Sequence, residues 1–98
     1  MTPYVVSPRA QRDIEEIWNY TTEQWSGAQA ERYIRSIQEA IETISADPRR
    51  GRSCENIRPS YRKFSVGSHL IFYRWTPASS EIDVVRVLHQ RMDFERHL

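Results

Sequence analysis

The 98-residue chain contains one cysteine, Cys54, one lysine, Lys63, and three widely spaced glycines, Gly27, Gly51 and Gly67. A single thiol excludes an internal disulfide and a cysteine-rich zinc site, the usage expected in a reducing compartment. Glycines this scattered exclude a phosphate-binding loop, which needs them close together ahead of a lysine. No GxSxG elbow is present, and His69, His89 and His97 sit apart with no HExxH or CxxC pattern. A serine hydrolase is therefore not expected, and neither is a metal or any other cofactor. The longest clear apolar run, Leu70-Ile71-Phe72-Tyr73, is far shorter than the roughly 20 residues that span a bilayer. No basic segment followed by an apolar stretch opens the chain, so the expected location is the cytoplasm, away from membranes.

What is present suits a folded protein: hydrophobic residues make up 39% and charged residues 28%, a balance unlike disordered or collagen-like chains. At this length one compact domain covering residues 1–98 is expected, with no repeat, linker or low-complexity tract. The net charge of +1 conceals an asymmetry. Residues 1–48 hold four arginines against eight acids, and residues 49–98 hold nine arginines and Lys63 against five acids. A basic half suggests a face for an acidic partner, either nucleic acid or an acidic protein segment.

Tyr4-Val5-Val6 is a short β-prone run, and Ser7-Pro8 supplies an N-cap and a first-turn proline. Ala10, Ile14, Ile17, Trp18, Thr21 and Trp25 then recur at helical spacing, with Arg12, Asp13, Glu15, Glu16, Asn19 and Glu23 on the other face. Ser26-Gly27 breaks the helix, and Ala30, Tyr33, Ile34, Ile37, Ile41 and Ile44 form the stripe of a second, which ends at Asp47-Pro48. Two helices joined so tightly predict an antiparallel hairpin that buries its stripes on something else. Residues 49–60 lack periodicity and read as a basic loop. Strands are predicted at Tyr61–Val66, His69–Trp75 and Glu81–His89, the first two joined by a Gly67-Ser68 turn. In the last of these, Val85 and Val87 are expected to face the helices while Arg86 points away. The expected fold is α+β, with a helical hairpin on a mainly antiparallel four-stranded sheet, order β-α-α-β-β-β.

The chemistry-bearing residues that remain form a basic set: Arg49, Arg50, Arg52, Arg58, Arg62, Lys63, Arg74, Arg86 and Arg91. Arginine grips phosphate through a fixed fork, so convergence of several on one sheet face would suit RNA or a developing phosphate charge. Against that, strand arginines commonly pair with acids such as Glu81, Asp83, Asp93 and Glu95. The tail from Met92 to Leu98 is expected to pack on the core.

Five stretches in order carry a resemblance that spans the chain: Val6-Ser7-Pro8-Arg9-Ala10; Asp13-Ile14-Glu15-Glu16-Ile17-Trp18-Asn19-Tyr20; Ile57-Arg58-Pro59-Ser60-Tyr61-Arg62; His69-Leu70-Ile71-Phe72-Tyr73-Arg74; and Val85-Arg86-Val87-Leu88-His89-Gln90-Arg91-Met92-Asp93. In this order and spacing they resemble the ParE branch of the RelE/ParE toxin superfamily. The resemblance implies a growth-arresting toxin associated with plasmid stabilisation, which poisons DNA gyrase. It also implies a ParD-like antitoxin that wraps the toxin, the pair binding its own operator DNA through the antitoxin. Arg58, Arg62, Arg74, Arg86, Arg91, Met92 and Phe94 are the expected target- or antitoxin-binding residues. The sister RelE branch cleaves messenger RNA on the ribosome with basic residues and a late tyrosine or histidine. The nearest stand-ins here are Arg62, Lys63, Arg91 and either His89 or His97. No tyrosine follows Tyr73, so the usual C-terminal acid of that branch is missing and no catalytic set is expected, a histidine being the available substitute. The alternatives to a gyrase inhibitor are a ribonuclease of this kind and a non-toxic relative that only binds an antitoxin.

Overall fold

A computed structural model describes residues 2–98. Strand β1 (Tyr4–Val6) passes directly into α1 (Pro8–Gln24). Ser7 stays extended at the cap, its hydroxyl accepting from the Ala10 amide at 3.0 Å, and Pro8 fills the first turn, where a missing N–H costs nothing. The same hydroxyl donates to the Val85 carbonyl at 2.9 Å, so the cap also fixes the helix to the far end of the chain. Ser26 caps α2 (Gly27–Ala46) in the same way, accepting from the Gln29 amide. Asp47 leaves the helical region ahead of Pro48, as the residue before proline prefers. Among the described residues no helix is long and apolar enough to cross a membrane.

A single tight turn, Pro48–Arg50, leads into β2 (Arg52–Ser53), then β3 (Tyr61–Val66), β4 (His69–Arg74), β5 (Ile82–His89) and a last helical turn, α3 (Phe94–His97). The sheet order is β1-β5-β4-β3-β2, with β1 parallel to β5 and the remaining pairs antiparallel. It has five strands where the sequence predicts four. The addition is β2, which pairs Arg52 with Lys63 and Ser53 with Arg62. Two residues are too few for a period-2 pattern to show in sequence.

The hairpin covers one sheet face. Ala10, Ile17, Ile37, Ala40, Ile41 and Ile44 meet Ile71, Tyr73, Ile82, Val84 and Val87 there, all buried. The other face holds a smaller cluster of Cys54, Phe72 and Leu88, covered in part by Phe94 and Leu98 from the tail. The tail thus packs on the core, with the Phe94 and Phe72 ring centroids 4.9 Å apart.

Two expectations about faces are corrected. In β5 the register shifts between Phe72/Arg86 and Tyr73/Val84, leaving Val85 as an extra residue. A bulge of this kind resets the alternation, so Val84 and Val87 face the hairpin where the sequence pattern assigns Val85 and Val87. In α1, Trp25 is 75% exposed and Asp13 is buried, the reverse of their predicted faces. Asp13 lies three residues past Ala10 and four before Ile17, on the inward stripe, and its burial is explained by what it binds.

Beneath the Pro48–Arg50 turn, the buried Tyr73 hydroxyl accepts from the Gly51 amide at 2.9 Å and donates to the Pro48 carbonyl at 2.7 Å. A β-carbon at residue 51 would overlap that hydroxyl, so the approach requires glycine.

Candidate docking groove and basic face

Past Val84, strand β5 outruns β1, and α1 lies along its open edge. Asp13 projects from α1 to that edge and accepts from the Val87 amide at 2.9 Å. It also takes Arg86 in a two-pronged ion pair, Nε to Oδ2 at 2.8 Å and Nη2 to Oδ1 at 2.9 Å. Arg86 is 8% exposed, and its remaining nitrogen Nη1 donates to the His97 carbonyl at 3.0 Å. One guanidinium therefore joins α1, β5 and α3. Paired with Phe72, Arg86 leaves the strand on the face away from the hairpin, as the alternation predicts, but it is not free: its guanidinium reaches the open edge of β5, where Asp13 holds it.

Beyond this pair a groove of about 500 Å³ runs between α1, the start of α2 and the end of β5, its walls including Ile17, Tyr20, Trp25, Tyr33, His89 and Met92. Tyr20 and Trp25 are 64% and 75% exposed. Large aromatic side chains left in water beside a concavity are the usual mark of a surface meant to be covered.

Three polar rings close the groove floor. The Tyr33 hydroxyl accepts from the Ser68 amide at 3.0 Å and lies 2.6 Å from His69 Nδ1. His69 and His89 pack edge to face with centroids 5.3 Å apart, and His89 Nδ1 accepts from the Arg91 amide at 3.1 Å. Gly67 turns the β3–β4 hairpin with φ of +54°, directly against the Tyr33 ring.

Burial first, and then His89 beside it, hold His69 below the ordinary histidine value, while Asp13 opposes the shift. A depressed folded-state value means that the unfolded chain takes up the proton first as pH falls. His69 thus contributes stability in full above the unfolded value near 6.5, and this is lost as pH drops through the window below it. We expect the melting temperature to fall between pH 7.5 and 5.5, and to fall less in His69→Gln. Parallel curves for the two proteins would show that His69 is not the group responsible.

The predicted site residues do not form one cluster. Alternation along β3 sends Arg62 and Lys63 to opposite faces. Arg62 donates to the Gly51 carbonyl at 2.7 Å, and Lys63 lies over the Phe94 ring on the face away from the hairpin. His89 faces the groove on the hairpin side, so Lys63 and His89 are separated by the sheet. Arg74 is paired with Asp83 at 2.7 Å, one of the acids named as a candidate partner. Arg58 and Arg91 are exposed, Met92 lines the groove and Phe94 lies half-buried on Phe72. His97 lines a shallow surface with Arg9 and Arg96. Sequence reasoning missed Asp13 and Tyr20, although both continue the inward spacing of Ala10 and Ile17. Among the described residues no group of three or more potential metal ligands is present.

Residues 4–94 match the family model described as ParE toxin of type II toxin-antitoxin system, parDE. Toxin ParE1 of Mycobacterium tuberculosis is 56% identical over 95 residues, covering 97% of this chain and 96% of the relative. Toxin ParE1 of Caulobacter vibrioides is 41% identical over 98 residues, covering 100% and 99%. A solved structure described as the chromosomal ParDE TA system from P. aeruginosa superposes with a TM-score of 0.77 at 15% identity, over 91% of this chain and 96% of the other, and supports the fold. With a family match from β1 to α3 and full-length relatives well above 30% identity, this chain belongs to the ParE toxin family of type II toxin–antitoxin systems.

Proposed function

We propose that this chain is a single-domain cytoplasmic toxin that is held inactive by a ParD-like antitoxin seated in the hairpin groove and that, when free, inhibits DNA gyrase. The observation that carries the antitoxin part is the groove itself, a trough with a polar floor whose aromatic and thioether walls, Tyr20, Trp25 and Met92, stand open to solvent. An amphipathic segment laid across it would cover those side chains and gain most from the aromatic ones. Arg91 and Arg58 are exposed and offer charge to the same partner or to the target. Arg74 and Arg86 act by positioning, since each is tied to an acid of its own chain. Arg62 holds the basic turn, and Phe94 holds the tail. Operator DNA is then bound by the complex through the antitoxin.

Inhibition by binding is favoured over RNA cleavage on geometric grounds. The stand-ins do not gather at one place: Lys63 lies over Phe94 on the face away from the hairpin, His89 faces the groove, His97 lines a separate surface with Arg9 and Arg96, and no tyrosine follows Tyr73. General acid–base catalysis requires its groups within hydrogen-bond reach of one substrate. The test is induction of the chain alone in a bacterial host, together with a supercoiling assay on purified gyrase. The expected result is growth arrest with a DNA-damage response, intact transcripts and loss of supercoiling. Unimpaired supercoiling at high toxin excess would remove gyrase as the target, and cleaved transcripts would replace inhibition with ribonuclease action.

A further inference from the structure

Between Asp47 and Glu81 the chain carries one acid, Glu55, and seven cations. Glu55 is occupied, its carboxylate accepting from the Ser60 amide at 2.7 Å. Among the described residues the side-chain ion pairs are Glu31–Arg35, Asp83–Arg74 and Asp13–Arg86. None of them takes up Arg49, Arg50, Arg52, Arg58, Arg62 or Lys63. A cleft at the β2 edge is lined by Arg50, Arg52 and Lys63 with Phe64, Ser65, Leu70 and Gln90, and no carboxylate contributes to it.

Two features separate this cleft from an ordinary solvated basic loop. Arg52 and Lys63 are direct cross-strand partners, and like charges in that position destabilise a sheet. The turn that carries Arg50 and Arg52 is also held from below, by the Tyr73 hydroxyl on Gly51 and Pro48 and by Arg62 on the Gly51 carbonyl. The protein therefore orders a repulsive set of cations on an open edge strand, a set that an anion would neutralise.

We propose that this cleft binds the phosphodiester backbone of nucleic acid directly, through Arg50, Arg52 and Lys63, independently of any DNA contact made by an antitoxin. Guanidinium forks suit phosphate oxygens. The charged side chains of its lining are all cations, three side by side, which favours a ligand of uniform negative charge over an acidic peptide with its own sequence. A nucleic-acid strand supplies a charge about every 3.4 Å whatever its bases, so binding is sequence-independent and salt-sensitive. Ser65 and Gln90 add neutral hydrogen-bonding groups beside the cations.

The experiment uses the free full-length chain and follows fluorescence anisotropy of an arbitrary duplex DNA of about 20 base pairs, and separately of a single-stranded RNA, from about 50 to 200 mM salt. Three phosphates contacted on duplex predict that log K falls against log salt with a slope of about −2.7, and slightly less steeply on a single strand. Arg50→Gln/Arg52→Gln/Lys63→Gln should weaken binding at least tenfold at low salt and flatten the slope by about 2 to 3. Its melting temperature should be unchanged or higher, since a like-charge pair is gone. Arg12→Gln/Arg32→Gln, on the hairpin surface, should leave both affinity and slope near the parent values. The two probes tell which nucleic acid is preferred. No binding at low salt, an equal loss in the hairpin variant, or displacement by polyglutamate as efficient as by unlabelled nucleic acid would each overturn the proposal. If the triple variant fails to fold, the Arg52→Gln single variant decides by its slope, expected to be flatter by about 1.

Discussion

Asp13→Ala should lower the melting temperature by roughly 15 °C or more, or leave the chain unfolded under ordinary conditions. The substitution strands a guanidinium that is 8% exposed, and breaking one side of a buried ion pair costs about 3–5 kcal/mol. It also orphans the Val87 amide, which costs about 1–3 kcal/mol more. A domain of this size has about 5–15 kcal/mol of stability in total, and each kcal/mol moves its melting point by about 4–8 °C. Arg86→Met should be damaging but less so, because Asp13 keeps its bond to Val87 while the His97 carbonyl loses its donor. Thermal and urea unfolding of the two variants gives the comparison. A loss below about 4 °C in Asp13→Ala would mean that the pair is open to water in solution, and the reverse order of the two variants would mean that Asp13 matters only through Arg86.

Trp25→Ala should leave folding nearly untouched and cost at least about 30-fold in affinity for the antitoxin. The side chain is 75% exposed, and surface substitutions of that kind usually change stability by no more than about 0.5 kcal/mol. At an interface, truncating a central aromatic costs about 2 kcal/mol or more, and every 1.4 kcal/mol is about tenfold. Met92→Ala, on the facing wall of the groove, should lose less, as a thioether contributes contact without a rigid ring. Calorimetric titration of the antitoxin into each variant measures both effects. Parent-like affinity in Trp25→Ala would place the antitoxin elsewhere on the toxin, and a large drop in melting point would make Trp25 a structural residue.

Local chemistry was legible wherever the signal lay within a few residues. Ser7-Pro8 and Asp47-Pro48 mark helix ends through capping and proline sterics, and the structure places those ends where they predict. The break at Ser26-Gly27 also falls where expected, but Ser26 makes it by capping α2, and Gly27 is the first residue of that helix rather than a left-handed terminator of α1. The isoleucine stripe of α2 and the Gly67 turn read equally well. Non-local features did not. The Val85 bulge comes from pairing with β4 and leaves no mark in the Val-Val-Arg-Val pattern. Strand β2 exists because Tyr73 and Arg62 hold the turn before it. The candidate site divides in the same way. A basic surplus after residue 48 was plain from composition, but the side of the sheet each cation occupies depends on register. Arg86 is the clearest case. It looks like a free cation in sequence, and its partner lies 73 positions earlier.

The first strand of the sheet is paired only with the last, Tyr4 to Val6 against Ile82 to Val84. On a ribosome, the α1–α2 hairpin is complete well before β5 has been made. At about 5–20 residues per second, the stretch from the end of α2 to the start of β5 takes roughly 2–7 s to synthesise. Throughout that interval the isoleucine face of α2 has no finished sheet to rest on, and Asp13 has no arginine. The order of synthesis therefore delays both the closing of the sheet and the Asp13–Arg86 pair until nearly the whole chain exists.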